Sequence, residues 1–441
     1  MRGFNGLPDR AVAVVGRSVV VALVMALAGC WPAPAQGPDR NAYNPFEDVI
    51  TPRTVGTLAP LWTATTDGAE GRADVVGPPV VSNAGVHVRD AGGLYGFDRA
   101  TGARLWRHPD TPIVIGAVGD PVADLSAGGD RVLFSAGVQV GQSGSWGGEA
   151  TWLDARTGVP AETVADGPVL ARRDNRLVTW SAVGSSLWLY HLYFLHVVDT
   201  ADPSAGWSGT FHTGGLREGP PPTLGADRLY VAGDVATSFQ ASGSPGVRAY
   251  PLTPPPACVE PPGTPWPQIP IPCPLWVTPT AAQPVTSPVI GPGGTTLYVG
   301  TGDGTLLALD AEDGHELWRA RLGAAPSADP ALAEGWLYVP LTSGKLVVIP
   351  ADGCGRAICR PAWRAELGGA PVQPAVAGGV VFVGTDTGRA LALPAAGCGQ
   401  HRCRPLWERD MGGAVTGAPA VSGGRLYLGI APDRLVALAP G

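Results

Sequence analysis

Six closely spaced cysteines are the residues best placed for chemistry. Cys258 and Cys273, Cys354 and Cys359, and Cys398 and Cys403 stand as near neighbours, and in an oxidising compartment each pair is expected to close as a local disulfide. A loop of about five residues gives roughly 2 kcal/mol on chain-entropy grounds, so each bridge would clamp one turn. His401 lies between Cys398 and Cys403, but one His and two Cys without a second cluster make a poor tetrahedral zinc set. Acid–base or hydride chemistry would need a positioned base beside a polarising cation. Asp120, Asp124 and Arg172 are the nearest candidates, yet they are scattered, and such residues more often hold turns. The seven histidines share no spacing. No catalytic, cofactor-binding or metal-binding residue is assigned, and no cofactor is expected.

The scaffold that would position these residues is rich in Gly (63) and Pro (46) among 441 residues, with only 15% charged. This excludes a helical bundle or coiled coil, while 45% apolar residues supply a packed core and argue against disorder. The net charge of −7, with Lys345 the only lysine, argues against a nucleic-acid partner.

Arg2, Arg10 and Arg17 precede an apolar run from Val19 to Ala28 that is short for a membrane span, and the pattern reads as an export signal. It ends in Leu27-Ala28-Gly29-Cys30, which resembles the bacterial lipobox. Cys30 is therefore expected to be lipidated after cleavage, the alternative being an ordinary signal peptide. Stable anchoring needs more than one acyl chain. Residues 1–29 form the expected lipoprotein signal peptide, and 30–44, with Pro32, Pro34 and Pro38, a semi-rigid tether. Removing residues 1–29 takes away three arginines and one aspartate, moving the charge from −7 to −9. The expected address is the extracytoplasmic face of the bacterial membrane.

Residues 45–441 read as a repeat. Anchors at Val86, Val132, Leu177, Leu229, Leu297, Leu337, Val381 and Leu426 recur at intervals of 46, 45, 52, 68, 40, 44 and 45 residues. Each is preceded by a proline: Pro79, Pro121, Pro168, Pro222, Pro288, Pro330, Pro374 and Pro419. Every copy has room for four short strands, and one four-stranded sheet cannot bury both faces alone, so the sheets must stack around an axis. Small residues after the prolines suit a crowded hub. Tryptophans at Trp62, Trp106, Trp207, Trp276, Trp318, Trp363 and Trp407 suit the wider rim as blade-docking residues. The second copy carries Glu162 at the Trp position. The last copy lacks a fourth strand and Leu61-Trp62 supplies one, so pairing them would close the ring. The expected fold is all-β: an eight-bladed β-propeller of four-stranded antiparallel blades, closed by its N-terminal and C-terminal strands.

The run from Leu297 to Trp318, Leu-Tyr-Val-Gly-x-x-Asp-Gly through Ala-Leu-Asp to Trp, resembles the tryptophan-docking repeat of the pyrroloquinoline-quinone repeat family. The entry segment Asn44 to Trp62 is similar to that family's N-terminal entry. The resemblance implies a quinoprotein-like propeller and two kinds of function. One is quinone-dependent dehydrogenation of alcohols or sugars, with calcium, a carboxylate base, an Arg and often adjacent cysteines at the hub. The other is non-catalytic, as in a lipoprotein that assists outer-membrane β-barrel assembly. This chain has no adjacent cysteines, and its hub strands are nearly devoid of such groups: the residues after Pro79, Pro168, Pro330, Pro374 and Pro419 offer neither carboxylate nor amide. The expected function is a non-enzymatic, lipid-anchored scaffold for an envelope protein or polymer partner.

Partner contacts are sought in turns and insertions. Arg131, Arg176, Arg228 and Arg425 precede second strands and belong on one face of the disk; Asp90, Asp303, Asp386 and Asp433 lie near the turns of the opposite face. Two faces of unlike charge would suit a docked partner, although hairpin turns carry polar residues anyway. Trp146 in the Gly141–Gly148 insertion and Trp266 in the Pro254–Pro274 insertion are further candidates, as aromatics on loops of a rigid scaffold.

Overall fold

In the computed structural model, the short runs punctuated by Gly and Asp fold as consecutive antiparallel hairpins. The structure describes residues 31, 37, 39–67, 76–90, 92–109, 126–140, 145–185, 188–212, 220–235, 244–254, 257–258 and 271–441. Among them no α-helix occurs, and the strands form eight four-stranded blades ordered A to D from hub to rim. Blade 1 spans 80–109, blade 2 126–166, blade 3 169–212, blade 4 223–279, blade 5 289–321, blade 6 331–366 and blade 7 375–410. Blade 8 combines 420–440 with Leu58–Thr65 as its outer strand. That strand pairs antiparallel with Arg434–Pro440, from Leu58 opposite Pro440 to Thr65 opposite Arg434. The ring closes as the sequence requires.

The hub strands are short and lined with small residues, as in Ala331–Ala333, Ala375–Ala377 and Ala420–Ser422. At the rim, each docking Trp reaches into the next blade's turn between strands C and D. Trp62 of blade 8 donates its indole N–H to Arg99 O of blade 1 (3.0 Å), and Trp106 of blade 1 to Ala155 O of blade 2 (2.9 Å). Trp207 does the same to Pro251 O (3.0 Å), Trp276 to Ala311 O (3.3 Å) and Trp407 to Leu58 O (3.1 Å). Trp318 lies on Gly353 and Trp363 on Gly397. Glycine is required beneath these rings: a Cβ on Gly102 would sit 2.6 Å from the Trp62 indole, and φ there is +71°. The Tyr of strand B completes the dock. Tyr298 and Tyr338 donate to Ala351 O (2.9 Å) and Ala395 O (3.0 Å) of the following blades, each in ring contact with its own blade's Trp.

Blades 2 and 3 depart from this rule. Glu162 is exposed and pairs only with Arg131 (3.4 Å). The two blades instead join into one eight-stranded sheet through main-chain pairing of Trp146 with Ala182. Strands B and C are ten residues each in blade 2, ten and twelve in blade 3, and eight each in blade 4. The equivalent strands of blade 5 have five and six residues.

Disulfides Cys354–Cys359 and Cys398–Cys403 form, and Cys273 is also disulfide-bonded, beside a ribbon pairing Ala257–Cys258 with Ile271–Pro272. Two of the clamped loops reach back to the preceding blade. Ile358–Cys359 adds in parallel to the outer strand of blade 5, and Arg364 of blade 6 bridges Arg402. The clamps thus cover outer edges that would otherwise be free to pair with another chain.

Candidate functional site

The hub has two mouths, and the chain's own N-terminal residues lie over one of them. Trp31 is fully buried and pairs both ways with Val81 at the end of blade 1's inner strand, its N–H to Val81 O at 2.9 Å and its carbonyl accepting at 2.8 Å. Across the ring, the Ile290 N–H of blade 5 donates to Asp39 O (3.0 Å), Leu332 of blade 6 to Asn41 O (2.8 Å) and Val376 of blade 7 to Ala42 O (2.9 Å). Tyr43–Asn44 then pairs in parallel with Val376–Ala377, and the Asn44 amide donates to Val421 O of blade 8 (2.9 Å). Buried Glu47 caps the turns, accepting from Val49 and Ile50 N–H (3.0 Å each) and from Gly424 N–H (3.1 Å). Inner strands of two or three residues leave buried N–H groups beyond their own ladders, and this strap supplies the carbonyls they need. Residues 39–44 therefore lie on the propeller and do not stand off it as a tether would.

The strap's charges are spent on the same structure. Asp39 pairs with Arg173, whose Nε also donates to Leu224 O (2.8 Å). Arg40 Nε lies 3.4 Å from Asp329 Oδ2, and Asp329 Oδ1 accepts the Ser287 N–H at 2.7 Å. Beside the strap is an open cavity of about 520 Å³ whose wall includes Asn41, Tyr43, Arg173, Tyr230 and Glu334. Tyr43 donates to Glu334 (3.2 Å), and burial, with the nearby carboxylate, raises its pKa above the usual phenol value.

Asp329 is the residue the sequence reading missed. It stands immediately before hub proline Pro330, the position that Asp120 holds before Pro121. The same position holds Ser287 in blade 5 and Gln373 in blade 7, and Ser287 Oγ and Gln373 Nε2 are buried without a protein partner. Calcium takes six to eight oxygen ligands drawn from carboxylates, carbonyls and waters. Among the described residues at these positions, Asp329 is the one carboxylate, and an N–H and a guanidinium already occupy it. These residues do not fit a calcium-held quinone. Asp120 and Asp124 lie outside the described residues.

The remaining candidates act mainly as structure. Asp303 accepts the Thr301 hydroxyl (2.6 Å) and the Thr305 N–H (3.2 Å), and the Thr301 bond leads in holding its carboxyl below the usual range. Asp90 accepts Gly92 N–H (2.7 Å), Asp386 accepts Ala370 N–H (2.8 Å), and the Asp433 carbonyl accepts Thr66 N–H (2.9 Å). Three of the opposing arginines have a carboxylate partner: Arg131 has Glu162, Arg228 has Asp227 (3.4 Å) and Arg176 has Asp199 (3.6 Å). Arg228 also donates to Ala311 O (2.8 Å) and Glu312 O (2.7 Å). Turn aspartates Asp98, Asp154 and Asp310 share that face, so its cationic row is offset. Trp146 stands in a strand, because the blade 2 hairpin extends through Ser145–Asp154. Cys30 and Trp266 lie outside the described residues. The half-cystines flanking His401 are bonded to each other, which removes them as metal ligands.

His87 is the unusual titratable group. It is fully buried, its Nε2 sits 2.8 Å from Ser82 Oγ and its ring stacks on Trp106 at 5.5 Å. Burial lowers its pKa to about 3, so it is a neutral core residue under Trp106.

Comparison with known proteins places this geometry. A family model described as outer membrane protein assembly factor BamB matches residues 57–189, 274–358 and 355–440. No curated protein sequence matches the chain. Among solved structures, BamB from Moraxella catarrhalis is similar at 15% identity and TM-score 0.55, over 87% of this chain and 99% of that one. Quinohemoprotein alcohol dehydrogenase from Comamonas testosteroni is similar at 14% identity and TM-score 0.65, over 95% and 82%. A europium-containing methanol dehydrogenase is similar at 12% identity and TM-score 0.60, over 96% and 100%. At such identities the structural likeness speaks for the fold alone.

Proposed function

We propose that this chain, which belongs to the outer membrane protein assembly factor BamB family, is a non-enzymatic scaffold that binds a protein partner at the bacterial cell envelope. It would be exported and held to the membrane through acylated Cys30. The observation that carries the reading is the strap. Arg40 stands on the hub carboxylate Asp329, and residues 39–47 bond the inner-strand ends of blades 5 to 8 at one mouth. A cofactor-dependent dehydrogenase would need that polar hub for its ligand. The long hairpins of blades 2 to 4 are the proposed partner side, since their extra length lies beyond what blade stacking requires.

The test adds pyrroloquinoline quinone and calcium to the purified full chain. The scaffold reading expects no bound-quinone absorbance and no dye reduction with alcohols or sugars; a quinone spectrum with turnover would overturn it. The anchor is tested separately, by whether Cys30→Ala moves the protein from the membrane to the soluble fraction.

A further inference from the structure

We propose that the strapped face of the propeller lies against the phospholipid bilayer, leaving the opposite face, with the hairpin turns between strands B and C, for the partner. The proposal rests on the reading of Cys30 as the lipidated residue and deepens it from attachment to orientation.

The argument turns on where Trp31 is held. Consecutive Cα atoms are about 3.8 Å apart, so any acyl chains on Cys30 begin one residue from a side chain that is fully buried in the core. Trp31 is fixed by two backbone hydrogen bonds to Val81, at the strapped end of blade 1's inner strand. Burial of so large a side chain, together with the paired backbone, fixes this residue on the hub. The tether therefore has no free length between lipid and hub. A disk anchored beside its axis by so short a link must present that face to the membrane.

The distribution of exposed apolar side chains agrees. Phe46 and Val49 on the strap and Val159 in the blade 2 turn between strands C and D are exposed on the strapped side. Val285 is the large apolar residue exposed at the opposite mouth among the described residues. On the strapped face the arginines are interspersed with turn aspartates such as Asp98, Asp154 and Asp310 and form no basic cluster, so its attraction to the membrane is apolar and not polybasic; a high-salt wash is expected to leave the protein attached.

The test uses the full lipidated chain in native membranes, with a photoreactive amino acid placed singly at exposed positions. Asp130 and Asp227 lie in turns between strands A and B on the strapped face, and Ser343 and Thr387 in turns between strands B and C on the other. Lipid adducts are expected at Asp130 and Asp227, with their loss at Ser343 and Thr387. Inserting about 12 Gly/Ser residues between Cys30 and Trp31, a linker of about 20 Å r.m.s. span, is expected to abolish the adducts at Asp130 and Asp227 while the protein still sediments with membranes. Equal adducts on both faces, or adducts confined to Ser343 and Thr387, would overturn the orientation and leave the anchor standing. A wild-type chain found wholly in the soluble fraction would overturn both.

Discussion

Blades 5 to 8 and blades 2 to 4 are built from one repeat but differ in hairpin length and, at the junction of blades 2 and 3, in how they stack; Trp207 and Trp276 still dock blade 3 on blade 4 and blade 4 on blade 5. In the first group strands B and C have five to seven residues, and a Trp or Tyr from each blade closes on the next blade's turn. In the second group the hairpins run to eight, ten or twelve residues, and blades 2 and 3 have exchanged the indole dock for main-chain pairing. At about 3.3 Å per residue, four or five extra residues carry a hairpin roughly 15 Å past the plane of its neighbours. Side-chain docking thus runs around most of the ring, and one junction, between blades 2 and 3, uses main-chain pairing in its place. Blades 2 to 4 stay in the ring and extend outward from it.

That contrast can be broken by substitution. Trp318→Ala empties the dock between blades 5 and 6 and is expected to cost about 3–5 kcal/mol, read from the shift of a denaturant midpoint; a loss below about 1 kcal/mol would show that docking does not hold the regular blades. Acid offers the next probe. His87 is neutral in the folded protein because its pKa is lowered to about 3, whereas the unfolded chain takes up the proton near its ordinary value of about 6.5. The stability held above pH 6.5 should therefore fall as pH drops toward 3, by about 1.4 kcal/mol per unit or about 2 kcal/mol at pH 5. His87→Gln should flatten that slope, and an unchanged slope would remove His87 as its cause.

Smaller effects are expected in the extended region. Replacing residues 138–147 with an Asn-Gly turn shortens the blade 2 hairpin and deletes the Trp146–Ala182 pair; a cost of about 1 kcal/mol is expected for the lost main-chain pairing. A cost like that of Trp318→Ala would erase the distinction between the regions. Glu162→Ala removes only an exposed ion pair and should change stability by less than about 0.5 kcal/mol.

Much of this contrast was legible in the sequence, for physical reasons. Blade number, ring closure and the docking tryptophans follow from spacing, because a stacked ring fixes the distance between repeats. Glu162 at a Trp position already marked the second copy as irregular. The Gly141–Gly148 run read as a loop, since glycines carry no side-chain pattern to signal a strand; part of it is strand because main-chain pairing with blade 3 needs none. Asp329, Ser287 and Gln373 share with Asp120 the position before a hub proline, but that position carries no common residue type around the ring, so no repeat pattern marks it. The strap was hidden for a related reason: Asp39, Asn41 and Ala42 act through their carbonyls, which no sequence motif records.

If this propeller is a scaffold, its extended hairpins are where the partner binds. Photoreactive residues placed one at a time in the turns between strands B and C around the ring, followed by mass spectrometry of the adducts formed in cells, test it most directly. The account predicts that adducts to an envelope protein concentrate on blades 2 to 4 and vanish when the blade 2 hairpin is shortened with the fold intact. Protein adducts centred on blades 5 to 8, or indifferent to that shortening, would contradict it.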